Sequence, residues 1–140
     1  MNGRPVVFMP AGCASLAGVQ ALVVEDHADS RELLALALQH RGAAVTAVST
    51  AREALEALRI RPDVVVTDVT LRGEDGYWLL DQIRARAEYA ALPVIALSGR
   101  LLGDGDRPRP LPEFDVAVLK PVDPFVLCDL IAHVLGKDRT

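Results

Sequence analysis

The chain has 140 residues, enough for one domain with a proper core and too few for two. Hydrophobic residues make up 51%, yet no apolar run approaches the roughly 20 residues of a membrane span, which argues against a membrane protein. A net charge of −4 argues against a nucleic-acid surface, which would show a basic patch.

Residues 1–18 are rich in Gly, Pro and Ala and carry one short apolar burst, Val6 to Met9, too short for a signal-peptide core. They read as an irregular leader. Cys13 and Cys128 lie far apart and make no metal pattern, so they read as two reduced thiols in a cytoplasmic protein.

The first strand is Val19 to Glu25 and ends in the acidic pair Glu25-Asp26. Adjacent carboxylates repel, and a divalent cation with its preference for oxygen ligands is the usual remedy. An acidic turn favoured by the following helix dipole has the same signature. That helix runs from about Ala28 to Arg41, with Leu33, Leu34, Ala37 and Leu38 at helical spacing, and Gly42 closes it.

Ala44 to Val48 is a second strand, and Thr50-Ala-Arg-Glu53 is a capping box for a helix over 51–59. Val64, Val65 and Val66, bounded by Pro62 and a polar loop, form a strand buried on both faces. It ends at Asp68, on the sheet edge where open α/β folds bind ligands. A carboxylate there suits a nucleophile or a metal ligand, although a turn Asp bonding its own backbone reads the same way.

A third helix spans Gly76 to about Ala87, with Tyr77 and Trp78 as packing residues. Leu92 to Leu97 is a fourth strand ending in Ser98-Gly99, and Asp115 to Leu119 a fifth ending in Lys120-Pro121. Asp123 caps a last helix with Pro124 at its first position, running to Gly136. Strand and helix alternate, which implies a parallel sheet with helices on both faces. Between the fourth and fifth strands, however, Gly103, Gly105, Pro108, Pro110 and Pro112 oppose a helix, so a loop is expected over about 104–113.

Glu25, Asp26, Asp68, Ser98 and Lys120 thus fall on one sheet edge. Three carboxylates can hold one Mg²⁺, an Asp can attack phosphorus, and a Lys and a hydroxyl can bind the incoming oxygens. Over nearly all of 20–136 this pattern resembles the receiver domain of two-component response regulators. Glu25-Asp26 matches the acidic pair, Asp68 with Asp75-Gly76 the phospho-acceptor loop, Ser98-Gly99 the switch hydroxyl, and Lys120-Pro121 the Lys-Pro whose peptide bond is expected to be cis.

The resemblance implies a doubly wound α/β fold, a five-stranded parallel sheet of order 2-1-3-4-5, flavodoxin-like or CheY-like, with the domain at 19–137 and a tail at 138–140. It implies that Asp68 accepts phosphate from a sensor histidine kinase or phosphotransfer protein. Asp26, Asp68 and the Thr70 backbone carbonyl would ligate Mg²⁺, with Glu25 acting through water. Ser98 and Lys120 would bind the phosphoryl group, and Thr70 and Arg100 would tune its removal by water. A signalling domain rather than an enzyme is implied, with output through a protein target, no direct nucleic acid and no membrane; pairing with a second copy stays open.

Two departures stand out. The family usually has Pro four residues after the acceptor, where this chain has Arg72, and Ala117 stands where many receivers carry a coupling aromatic. With the proline-interrupted helix beside it, the usual output face is expected to be replaced. A receiver-shaped scaffold without phosphorylation is the alternative. A flavodoxin wants a Ser/Thr/Gly phosphate loop after the first strand, and an aspartyl-phosphate hydrolase a nucleophilic Asp on that strand with a second Asp two residues on; this chain shows neither pattern.

Overall fold

The computed structural model describes residues 14–99 and 113–137. Five parallel strands, β1 (Gln20–Val24), β2 (Ala44–Val48), β3 (Val64–Asp68), β4 (Val94–Ser98) and β5 (Val116–Leu119), lie in the order β2-β1-β3-β4-β5. Helices α1 (Ala28–His40), α2 (Ala51–Ala57), α3 (Gly76–Arg84) and α4 (Pro124–Val134) connect or follow them. This is the doubly wound order expected from the sequence. The predicted loop over about 104–113 lies, but for residue 113, outside the described residues, as do 1–13 and 138–140.

Alternate strand residues point to opposite faces, which divides the core in two. Leu22, Val24, Val65 and Ala96 pack on the side of α2 and α3, with Tyr77, Leu79 and Ile83. Ala21, Val23, Val64, Val66, Ile95 and Leu97 pack on the side of α1 and α4, with Leu34, Leu38, Leu127 and Ile131. Every residue of β3 is buried, as a central strand covered on both faces requires. Tyr77 packs on Phe114 with ring centroids 5.3 Å apart, and Arg52 lies 5.1 Å above the Trp78 ring, so both aromatics serve packing.

Several boundaries differ from the sequence reading. α2 stops at Ala57 and tightens into a 3₁₀ turn over Leu58–Ile60, closed by Arg61 at φ 57° just before Pro62. α3 stops at Arg84, whose guanidinium bonds the Tyr89 and Leu92 carbonyls and pairs with Asp115 at 2.7 Å, fastening the turn over Ala87–Tyr89. Leu92 closes that turn and Pro93 has no amide, so β4 begins at Val94. Leu33 is 56% exposed rather than inward, because one turn of α1 places only Leu34, Ala37 and Leu38 against the sheet. Val126 at the start of α4 is exposed as well. His40 is exposed, but its ring meets the Phe125 ring edge-on at 6.1 Å, and His133 is half buried.

The caps form as expected. Thr50 Oγ1 accepts the Glu53 amide and Glu53 Oε1 accepts the Thr50 amide, both at 3.1 Å. Asp123 accepts the Phe125 and Val126 amides with Pro124 at the first position. Residues 14–18 form no helix or strand, yet Leu16 is fully buried and its amide bonds the Arg41 carbonyl at 2.7 Å. Arg41 also reaches the buried Asp129 at 2.9 Å and the Ala14 carbonyl at 3.1 Å, an ion pair joining α1, α4 and the segment before β1. Cys128, beside it, is a free buried thiol pushed up to about 11 by burial. No helix among the described residues is long and apolar enough to cross a membrane.

The closest backbone approach lies beneath Asp68. Gly76 opens α3 directly against the end of β3, its amide bonding the Val69 carbonyl at 2.8 Å. A Cβ there would lie 2.6 Å from the Asp68 carbonyl oxygen and 3.0 Å from Val69 Cα. Helix propensity alone favours Ala over Gly by about 1 kcal/mol. Gly76→Ala is expected instead to destabilise the fold by roughly 1–3 kcal/mol in urea denaturation, because backbone must move. A stabilised variant would show that the two segments are not in contact.

Candidate functional site

The sheet delivers the predicted residues to one edge. Asp68 is the last residue of β3 and Ser98 the last of β4. Glu25 follows β1 and bonds the Val48 carbonyl through its amide at 3.1 Å. Lys120 follows β5, and its amide donates to the Ser98 carbonyl at 2.7 Å. The Lys120–Pro121 peptide bond is cis.

Lys120 Nζ lies 2.6 Å from Asp68 Oδ2 and 3.7 Å from Glu25 Oε1. Asp68 and Glu25 are 3% and 2% exposed, so one ammonium compensates two buried carboxylates. Burial pushes Asp68 up to about 6 and the Glu25 charge adds to it, against the downward pull of the Lys120 hydrogen bond and charge. Burial acts to lower Lys120, but the hydrogen bond and charge of Asp68, with those of Glu25, hold it above the usual lysine value. A carboxylate held at about 6 beside an ammonium raised above its usual value favours an ion pair at neutral pH.

Asp26 turns to the other side of the site. Its Oδ2 accepts the Arg72 amide at 3.2 Å, with the Arg72 Nε 3.9 Å away. Its Oδ1 is buried and has no hydrogen-bond partner among the described residues. The residue after the pair, His27, brings Nδ1 within 3.2 Å of that atom and 3.3 Å of Glu25 Oε2. Thr70 is exposed in the loop past Asp68, between the buried Val69 and Leu71. Ala117 is exposed on β5 in register with Ala96, and Arg100 lies outside the described residues.

Three contributions were not foreseen from the sequence. Arg31 Nη1 bonds the Glu25 carbonyl at 3.0 Å. The His27 amide bonds Glu25 Oε2 at 3.0 Å, and its ring faces both acids. Arg72 supplies a backbone donor to Asp26 that a proline at that place could not. The last carried a sequence signal, the departure at Arg72, but its consequence depends on how the loop folds back.

The donor set suits a hard divalent cation. Glu25 and Asp26 offer oxygens within 4.8 Å of each other beside His27, and a buried carboxylate oxygen without a donor is the mark of a missing electrophile.

The raised Asp68 has a consequence for stability. Its folded-state value lies above the ordinary 3.8, so between about pH 4 and 6 the folded protein binds more protons than the unfolded chain. Stability from this group is present at low pH and is lost as pH rises through about 6. In metal-free buffer Asp68→Asn is expected to be more stable than the parent at pH 7.5, by up to about 3 kcal/mol, with the difference shrinking below pH 4. Denaturation curves across pH check this; a variant less stable at pH 7.5 would contradict it.

A profile for the response regulator receiver domain matches residues 21–131. A 14.6 kDa protein of Leptolyngbya boryana is 36% identical over 118 residues, covering 84% of this chain and 90% of that protein. The transcriptional regulatory protein CseB of Streptomyces coelicolor is 44% identical over 80 residues, 56% of this chain and 33% of CseB; the chain spans about a third of that longer relative. Among solved structures, the receiver domain of a Pseudomonas aeruginosa sensor histidine kinase, with a magnesium ion in its active-site cleft, is 30% identical, covers 86% of this chain and 99% of its own, and superposes with a TM-score of 0.77. The chemotaxis response regulator CheY4 of Vibrio cholerae shares the fold at a TM-score of 0.72 and 24% identity, over 83% of this chain and 98% of its own. With the fold, the sheet-edge acids and the profile in agreement, this chain belongs to the receiver-domain family of two-component response regulators.

Proposed function

We propose that Asp68 is the phospho-acceptor of a Mg²⁺-dependent receiver, taking its phosphoryl group from a phosphohistidine on a sensor histidine kinase or phosphotransfer protein. The observation that carries this reading is the 2.6 Å contact of Lys120 with a buried Asp68 at the end of the central strand. Phosphoryl transfer asks little of the protein beyond position and compensating charge, and this edge supplies both.

The Asp68 carboxylate attacks phosphorus, the phosphorus–nitrogen bond to the donor imidazole breaks, and the imidazole leaves with the electron pair. Lys120 keeps its charge beside Asp68 and pairs with the arriving phosphoryl oxygens. Ser98, ending the neighbouring strand, turns its hydroxyl to them. Asp26, Asp68 and the Thr70 carbonyl, with Glu25 acting through water, would hold Mg²⁺, which would supply charge neutralisation for the phosphoryl oxygens. Thr70 and Arg100 tune how water removes the group. The chemistry is confined to the domain's own phosphorylation and dephosphorylation, so the chain works as a cytoplasmic signalling domain and not as an enzyme on other substrates.

A cavity of about 460 Å³ opens beside Glu25 and Lys120, lined with Leu33, Leu34, Val122 and Pro124. Exposed Leu33 and Leu36 extend it along α1, an apolar surface that suits the helix carrying the donor histidine. Output passes to a protein target. Ala117 offers only a methyl group at the position of the coupling aromatic, which supports an output route away from the usual face.

Incubation with acetyl phosphate and Mg²⁺ is expected to add one alkali-labile, hydroxylamine-sensitive phosphate to the protein, seen by intact mass. Asp68→Asn is expected to lose it to background. Equal incorporation in that variant would remove Asp68 as the acceptor.

A further inference from the structure

His27 is the last residue before α1, in the position that normally caps a helix, yet its side chain makes no capping hydrogen bond. Its ring is 71% exposed but does not point to solvent with its Nδ1. That atom turns back onto the acidic pair, 3.3 Å from Glu25 Oε2 and 3.2 Å from Asp26 Oδ1. Each acid has committed its other oxygen elsewhere: Glu25 Oε1 to Lys120, Asp26 Oδ2 to the Arg72 amide. The remaining oxygens and the imidazole nitrogen therefore converge, all within 4.8 Å of one another.

A hydrogen bond from the ring explains only part of this. Glu25 Oε2 already accepts the His27 amide at 3.0 Å, and the ring contact to it is longer. Asp26 Oδ1 stays without a hydrogen bond although Nδ1 lies 3.2 Å away. The spacing fits another arrangement. Nitrogen and oxygen ligands about 2.0–2.2 Å from one metal are about 2.8–3.1 Å apart when octahedral and about 3.3–3.6 Å apart when tetrahedral. The two observed separations fall between those limits, and a cation would supply the electrophile that Asp26 Oδ1 lacks.

We propose that His27 Nδ1 is a protein ligand of the cation at this edge, beside Glu25 Oε2 and Asp26 Oδ1. The inference rests on the divalent-cation site proposed above and adds to it a nitrogen donor. Magnesium favours oxygen ligands, whereas imidazole suits manganese, cobalt and zinc. The site accordingly takes a first-row transition ion such as Mn²⁺ with a larger preference over Mg²⁺ than an all-oxygen site would have. Glu25 then contributes directly to such an ion rather than through water.

Pulsed EPR of the Mn²⁺-loaded protein tests this without any phosphorylation step. The parent is expected to show ¹⁴N modulation from a directly bound imidazole, and His27→Gln is expected to lose it. Calorimetric titration is expected to give about 10-fold weaker Mn²⁺ binding in the variant and little change for Mg²⁺. His27→Asn, which restores a good helix cap, guards against a folding defect and is expected to match His27→Gln. Tight Mn²⁺ binding without ¹⁴N modulation in the parent, or with modulation kept in both variants, would overturn the role of His27 and leave the cation site standing. No binding of either ion to the parent would overturn both.

Discussion

Lys120 Nζ is shared between Asp68 Oδ2 at 2.6 Å and Glu25 Oε1 at 3.7 Å. Two carboxylates this deeply buried are costly without a cation, and the lysine is drawn from a strand two places from β3 and three from β1 in the sheet. The sheet order makes the contact obligatory. β1 and β3 are neighbours, β4 and β5 continue the row, and parallel strands place all four carboxyl ends on one edge. The apolar faces of the sheet, closed by α2 and α3 on one side and α1 and α4 on the other, hold these ends in place. Charge compensation and sheet topology are therefore one constraint: a change of register in any strand would leave a buried acid without its partner.

The loop after Asp68 is held differently from the family pattern. In place of a proline, Arg72 gives its amide to Asp26, and Arg52 bonds Glu74 through Nε at 2.7 Å while stacking on Trp78. The exposed Arg52–Glu74 pair is worth little by itself. More of the restraint comes from Gly76, packed on the Asp68 backbone, and from Asp75, whose side chain caps α3 through the Trp78 amide at 2.9 Å. The loop is thus tied at both ends and at its middle, with the acceptor itself as one anchor. Under the proposed function, phosphorylation and cation binding would alter the charge at those same anchors, which would place α3 and the Arg72 segment nearest to the response.

Much of this was legible in the sequence because the physics is local. The valine run of β3, the Thr50–Glu53 capping box and the Asp123-Pro124 helix start each carry their own signature, and each appears as read. The strand-end acids, Ser98 and Lys120 could be assembled because strand–helix alternation fixes the edge on which they fall. What escaped depends on long-range packing. Asp129 carries no sequence signal of its own, yet Arg41 and the Ala14 segment enclose it. Leu33 looks like core by spacing, yet α1 turns it outward. His27 shows no ligand spacing along the chain; its ring meets the acids only because the backbone turns between β1 and α1.

The account depends most on a buried Asp68 whose charged form is favoured by Lys120 beside it. The direct measurement is a ¹³C NMR titration of the Asp68 carboxyl in metal-free protein, repeated in Lys120→Met. The expected midpoint is about 6 in the parent, moving higher when the ammonium is removed. A midpoint near the ordinary carboxylate value of about 4, unmoved by Lys120→Met, would contradict it.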